Sequence, residues 1–143
     1  MKKTATYHIT VGASTKNLSV VREFVTEHTK AEGFSDTVVN DVCLAVDEAY
    51  TNIIKHAYKF DPTKKVEVDL EFDPEKVCVC LTDTGDSFDE SNYTIPDIPK
   101  LIKNKKRGGM GVFLIQKLMD RVDYESRNRE NEIKMYKKRE TAS

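Results

Sequence analysis

From Lys64 to Phe72 the chain reads KKVEVDLEF, an unbroken alternation that puts Val66, Val68, Leu70 and Phe72 on one face of a strand. The turn sequence DPEK follows, and VCVCLTD up to Asp83 reads as a second strand, so the pair forms a hairpin. Such a hairpin has one apolar face to cover, and the helical patterns elsewhere supply the cover. NLSVVREFVTEHTKAEGF places Leu18, Val21, Phe24 and Val25 at helical spacing and stops at Gly33. Ser35 then caps a second helix with Asp36 in its first turn, running to about Tyr58 before Asp61-Pro62 breaks it. ATYHITVGA near the start reads as a strand, a third helix ends near Met119, and RVDYESR with EIKMYKK form a closing hairpin. These elements imply an α+β two-layer sandwich: a mixed, mostly antiparallel sheet covered on one face by helices. A chain of 143 residues suits one domain over 1–143.

Composition narrows the partners. Lys plus Arg (23) nearly balances Asp plus Glu (24), which gives no field for nucleic acid or an anionic membrane. No apolar run approaches ~18 residues and no secretory segment opens the chain, so the expectation is a cytoplasmic protein. Cys43, Cys78 and Cys80 are odd in number, which argues against a disulfide framework. Cys78 and Cys80 share a strand face and are expected as small buried side chains rather than half a metal site.

Three stretches carry possible chemistry. On the second helix, Val39, Val42, Val46, Ala49, Ile53 and Ala57 share one face, and Asp41, Glu48, Asn52 and Lys55 the opposite one. Glu48 and Asn52 are neighbours four residues apart: a carboxylate and an amide oxygen suited to Mg²⁺ or to a general base, or else part of a solvated face. Asp83 stands where a strand yields to a turn, with Gly85 two residues on. A carboxylate there can accept from the exocyclic amine of adenine and reject guanine, and it can equally be an ordinary turn residue. Finally, Gly109 and Gly111 precede the helix VFLIQKLM, with Lys103, Lys105, Lys106 and Arg107 just upstream. Backbone N–H groups at a helix start attract phosphate, though glycine also serves plain turns.

Taken together, EAYTN, DTGDSF and GGMGVFLI resemble the three boxes of the ATPase fold shared by gyrase, Hsp90, histidine kinases and MutL. DEAYTNIIKHAY and RGGMGVFLIQKLMDRV are most similar to bacterial anti-sigma factor serine/threonine kinases, over roughly residues 7–138. The resemblance implies the Bergerat, or histidine-kinase-like, fold and a lid over about 89–107. Glu48 would be the general base, Asn52 would hold Mg²⁺ against the ATP phosphates, and Asp83 would bind the adenine amine, with Gly85 letting the base lie close. Arg107 would touch the terminal phosphate, and the N–H groups of Gly109, Met110, Gly111 and Val112 would cradle the phosphates. It further implies an antagonist (anti-anti-sigma) protein as substrate, a sequestered sigma factor, and a homodimer. A non-catalytic nucleotide-binding module that sequesters a partner is the alternative. Where many relatives carry a Gly-Thr pair before the last strand, Glu130 and Asn131 stand here, and Asn131 can replace the threonine's hydrogen bond.

Overall fold

The computed structural model describes residues 4–85, 114–127 and 129–139. Strand β1 spans Ala5–Gly12, helix α1 Leu18–Ala31, helix α2 Asp36–Asn52, β2 Lys65–Phe72, β3 Lys76–Asp83, β4 Arg121–Arg127 and β5 Glu130–Lys138. Residues 114–118 are also helical. The sheet has the order β1-β2-β3-β5-β4, and every neighbouring pair is antiparallel. The parallel component that a mixed sheet would bring is absent among the described residues. The connection from β3 reaches the far edge before β5 returns beside β3, so the β3 and β5 ends meet at the sheet centre.

Local chemistry sets the helix limits. The Ser35 hydroxyl accepts from the Val38 N–H at 3.2 Å, satisfying one of the donors that a helix start leaves open. Gly33 takes φ +85° just past α1, and its N–H donates to the Lys30 carbonyl at 2.9 Å. Val66, Val68, Leu70 and Phe72 of β2, then Val77, Val79 and Leu81 of β3, are all buried beneath the helices. Tyr50 of α2 is buried too, and its hydroxyl meets the carbonyls of Gly12 at 3.0 Å and Ser14 at 2.8 Å, pinning the helix to the end of β1.

Two expectations need correction. Cys78 and Cys80 are half-buried on the open face of the sheet, because the alternation that buries Val77, Val79 and Leu81 turns the residues between them outward. The Cys80 thiol donates to Glu132 Oε1 at 2.9 Å, and burial, then Glu132, pushes its pKa well up, so it stays a thiol. The proposed polar face of α2 is also not uniform. Asp41 is paired with Lys137 of β5 at 3.4 Å, and Asn52 is only 6% exposed. Helix α2 is covered on more than one side, with Val38, Ala45 and Tyr50 buried besides the expected stripe.

Truncating Leu81, which has no exposure, should cost about 2–5 kcal/mol in urea unfolding. Leu44→Ala, at a side chain 48% exposed on α2, should stay within about 0.5 kcal/mol of the wild type.

Candidate functional site

Helix α2 does not end in an ordinary cap. After Asn52 the chain widens into a π-turn, Ile53–Ala57, closed by the Tyr58 N–H donating to the Ile53 carbonyl at 3.0 Å. Such turns are rare and favour functional sites. Lys59 and Phe60 follow at φ 49° and 64°, left-handed values that are costly for side chains of this kind. Asp61 then redirects the chain, its carboxylate accepting from the Thr63 N–H at 2.9 Å and the Thr63 hydroxyl at 2.6 Å.

The helix exit is fastened to the sheet by Tyr58. Its buried hydroxyl donates to the Lys65 carbonyl at the head of β2 and accepts from the Thr84 N–H at 2.9 Å. Thr84 lies between Asp83 and Gly85, so the end of β3 is drawn onto the π-turn. There is no room for a side chain there. A Cβ on Gly85 would stand 2.4 Å from the Ala57 carbonyl oxygen and 2.8 Å from the Ala57 Cβ. The visible need for glycine at 85 is therefore this close approach of backbone to backbone.

Asp83 takes the last inward-facing place in the series Val77, Val79, Leu81, Asp83, which buries a carboxylate (5% exposed) at the rim of an apolar layer. Its Oδ1 accepts from the Gly85 N–H at 3.0 Å and from Asn131 Nδ2 at 2.9 Å. Asn131 is the direct cross-strand partner of Asp83 and is itself buried. No described residue donates to Oδ2. Burial pushes the Asp83 pKa up, while the two hydrogen bonds pull the other way.

Glu48 and Asn52 share α2 one turn apart. Glu48 is half-buried and makes no hydrogen bond or ion pair with a described residue. Asn52 Nδ2 is buried without a hydrogen-bond partner among the described residues. Buried amides almost always have partners, so an unspent one at a helix end points to a ligand. A half-turn of the amide exchanges its nitrogen and oxygen, which fits a hard cation that keeps several waters. The described residues hold no group of three or more His, Cys, Asp or Glu suited to a metal. A single amide shared with phosphate oxygens is a different arrangement, and one that Asn52 can serve.

The structure thus brings Asp83 and Gly85 against the π-turn that follows Asn52. Arg107, Gly109, Met110, Gly111, Val112 and the lid at 89–107 lie outside the described residues. Sequence reasoning missed Tyr58, the close approach of Ala57 to Gly85, and Ser126, whose hydroxyl donates to Asn131 Oδ1 at 2.8 Å. Parity would have flagged the neighbourhood, since Asn131 falls in the inward series with Ile133 and Met135. No pattern announces Tyr58, whose role depends on where two distant strands begin and end. A cavity of about 350 Å³ lies at the opposite end of the sheet, beside Phe72, Pro74 and Arg139. The guanidinium there is spent on the carbonyls of Glu32 at 2.9 Å and Pro74 at 3.0 Å, and it lies 4.0 Å from the Phe34 ring centre.

Gly85→Ala should force the strand end off the π-turn, costing roughly 1–3 kcal/mol in thermal or urea unfolding. A wild-type stability would contradict the contact with Ala57. The charge on Asp83 carries a cost of its own. With the folded pKa raised, the ionised form lowers stability above that pKa, and the loss is relieved as pH falls through it. Asp83→Asn keeps the acceptor oxygen for both donors, so at pH 7 it should be at least as stable as the wild type. That advantage should shrink on acidification, as measured by melting across pH.

The chain matches the Histidine kinase-like ATPase domain family over residues 11–137. It is similar to "Serine-protein kinase RsbW" of Halalkalibacterium halodurans, 35% identical over 122 residues, covering 82% of this chain and 74% of that protein. The proteins of that name from Bacillus licheniformis (31% identical, covering 85% of this chain and 79% of that one) and Staphylococcus aureus (33%, covering 78% and 74%) are also similar. Among solved structures, the RsbU and RsbW domains of Rv1364c from Mycobacterium tuberculosis superpose with a TM-score of 0.64 at 15% identity, over 96% of this chain and 34% of that one. The SiaB-SiaC complex from Pseudomonas aeruginosa gives 0.60 at 12% identity, over 92% of this chain and 89% of that chain. No helix among the described residues is long and apolar enough to cross a membrane. The boxes on α2 and at the end of β3, the antiparallel sheet beneath them and these likenesses agree: the chain belongs to the histidine kinase-like ATPase domain family.

Proposed function

We propose that the chain is an ATP-dependent serine/threonine protein kinase that phosphorylates an antagonist (anti-anti-sigma) protein and sequesters a sigma factor. The observation that carries the nucleotide reading is the buried Asp83 carboxylate. One of its oxygens is saturated by Gly85 and Asn131, and the other has no donor among the described residues. An acceptor held this way suits the exocyclic amine of adenine and repels the carbonyl of guanine. The serine/threonine kinase reading rests on relatives named serine-protein kinases that align over most of the chain.

Each residue then has a role to play. Asp83 selects the base, and Gly85 with Ala57 and Tyr58 holds the strand end in place beneath it. Asn52 offers the amide oxygen that would hold Mg²⁺ against the phosphates, and that ion would offset charge developing on the transferred group. Glu48, one turn earlier, accepts the proton from the serine or threonine hydroxyl as that oxygen bonds to the terminal phosphorus and the bond from that phosphorus to the bridging oxygen breaks, with ADP leaving. Glu48 is half-buried and pairs with no described residue, and in this reading the hydroxyl is brought to it by a docked protein, so hydrolysis by water alone is expected to be slow. Arg107 and the N–H groups of Gly109, Met110, Gly111 and Val112 complete the phosphate site in this reading. A homodimer and a cytoplasmic setting are part of the same proposal.

Glu48→Ala should lower transfer of labelled phosphate to the antagonist roughly 10²–10⁴-fold while leaving Mg-ATP binding little changed. Asn52→Ala should weaken Mg-ATP binding itself, as read by calorimetry. Undiminished phosphorylation by Glu48→Ala would overturn the kinase mechanism. If that variant loses transfer and regulation of the partner persists, regulation proceeds through binding alone.

A further inference from the structure

Asp83, Asn131 and Ser126 are directly opposite one another on three adjacent strands, β3, β5 and β4. Their side chains form a chain of donors. The Ser126 hydroxyl donates to Asn131 Oδ1 at 2.8 Å, and Asn131 Nδ2 donates to Asp83 Oδ1 at 2.9 Å. We propose that Asn131, oriented by Ser126, is the positioning residue that makes this site choose adenine over guanine. The inference rests on the adenine role of Asp83 given above, and assigns to Asn131 an action through Asp83 in place of direct contact with the base.

The polarity of the chain carries the argument. An ionised carboxylate can only accept, so Asn131 must present its nitrogen to Asp83 and its oxygen to Ser126. The Ser126 hydroxyl is therefore required to donate. With Asn131 and Gly85 both bonded to Oδ1, the carboxylate cannot rotate without losing two hydrogen bonds, and Oδ2 stays where the base arrives. The same two donors favour the charged form against the burial that opposes it. A carboxyl group that took a proton could donate to the guanine carbonyl, and one that turned would take Oδ2 away from the adenine amine; either way discrimination would fall. Ser126 is exposed on edge strand β4, so its substitution leaves the core untouched.

The test is the ratio of GTP to ATP dissociation constants, with magnesium, for the full chain and its variants. A ratio cancels losses in phosphate binding or overall stability, which a merely structural role would produce. The wild type should prefer ATP. Asn131→Ala should reduce the ratio by about tenfold or more, Ser126→Ala by roughly three- to tenfold, and Ser126→Thr should restore it. A wild-type ratio in both alanine variants, with ATP preference intact, would overturn the positioning role alone. A wild type that binds both nucleotides equally would instead overturn the adenine reading of Asp83, and this proposal with it.

Discussion

The contact between Gly85 and Ala57 is the constraint on which the rest of the site depends. Helix α2 lies over the sheet, and its last turns must be brought level with the strand ends before a residue on each can face a common space. An ordinary α-helical ending would leave those parts apart or in collision. The π-turn after Asn52 shifts the Ala57 carbonyl onto the β3 exit, glycine at 85 makes the approach possible, and the Tyr58 hydroxyl bonds to both sides of the junction. Left-handed Lys59 and Phe60 absorb the geometry the π-turn leaves behind. Strain of that kind persists only where surrounding packing over-determines it, and the buried Tyr58 provides that here.

A second tension lies in the placement of a carboxylate on the apolar side of the sheet. Three valine and leucine positions of β3 are buried for stability, and the next position of the same parity holds Asp83. Burial opposes its charge, and the Gly85 and Asn131 hydrogen bonds only partly offset that. The arrangement makes sense for a group kept dry and aimed, at the expense of stability. Asn52 follows the same logic, since its amide nitrogen is buried at the other side of the junction and has no partner among the described residues.

Much of this was legible in the sequence, for identifiable reasons. The alternation from Val66 to Phe72 and the Ser35 cap are local signals, and the structure reproduces both. Asp83 and Gly85 stood out because a strand pattern stops there. The burial of Asn52 was not legible, because periodicity along α2 shows one apolar stripe and gives no account of what covers the helix flanks. Cys78 and Cys80 were misread for a related reason: small apolar side chains suit a core, but their parity put them on the open face. The roles of Tyr58 and Ser126 depend on strand register between segments far apart in the chain. No short-range pattern records register.

Asn52 on the helix and Asp83 on the sheet, held by Asn131, are expected to serve one nucleotide. Amide-resolved NMR during titration with Mg-ATP tests it most directly. The side-chain amides of Asn52 and Asn131 and the backbone N–H groups of Thr84 and Gly85 should shift together and saturate at one nucleotide per chain. Shifts confined to the far end of the sheet around Arg139, or no shifts at saturating nucleotide, would contradict it.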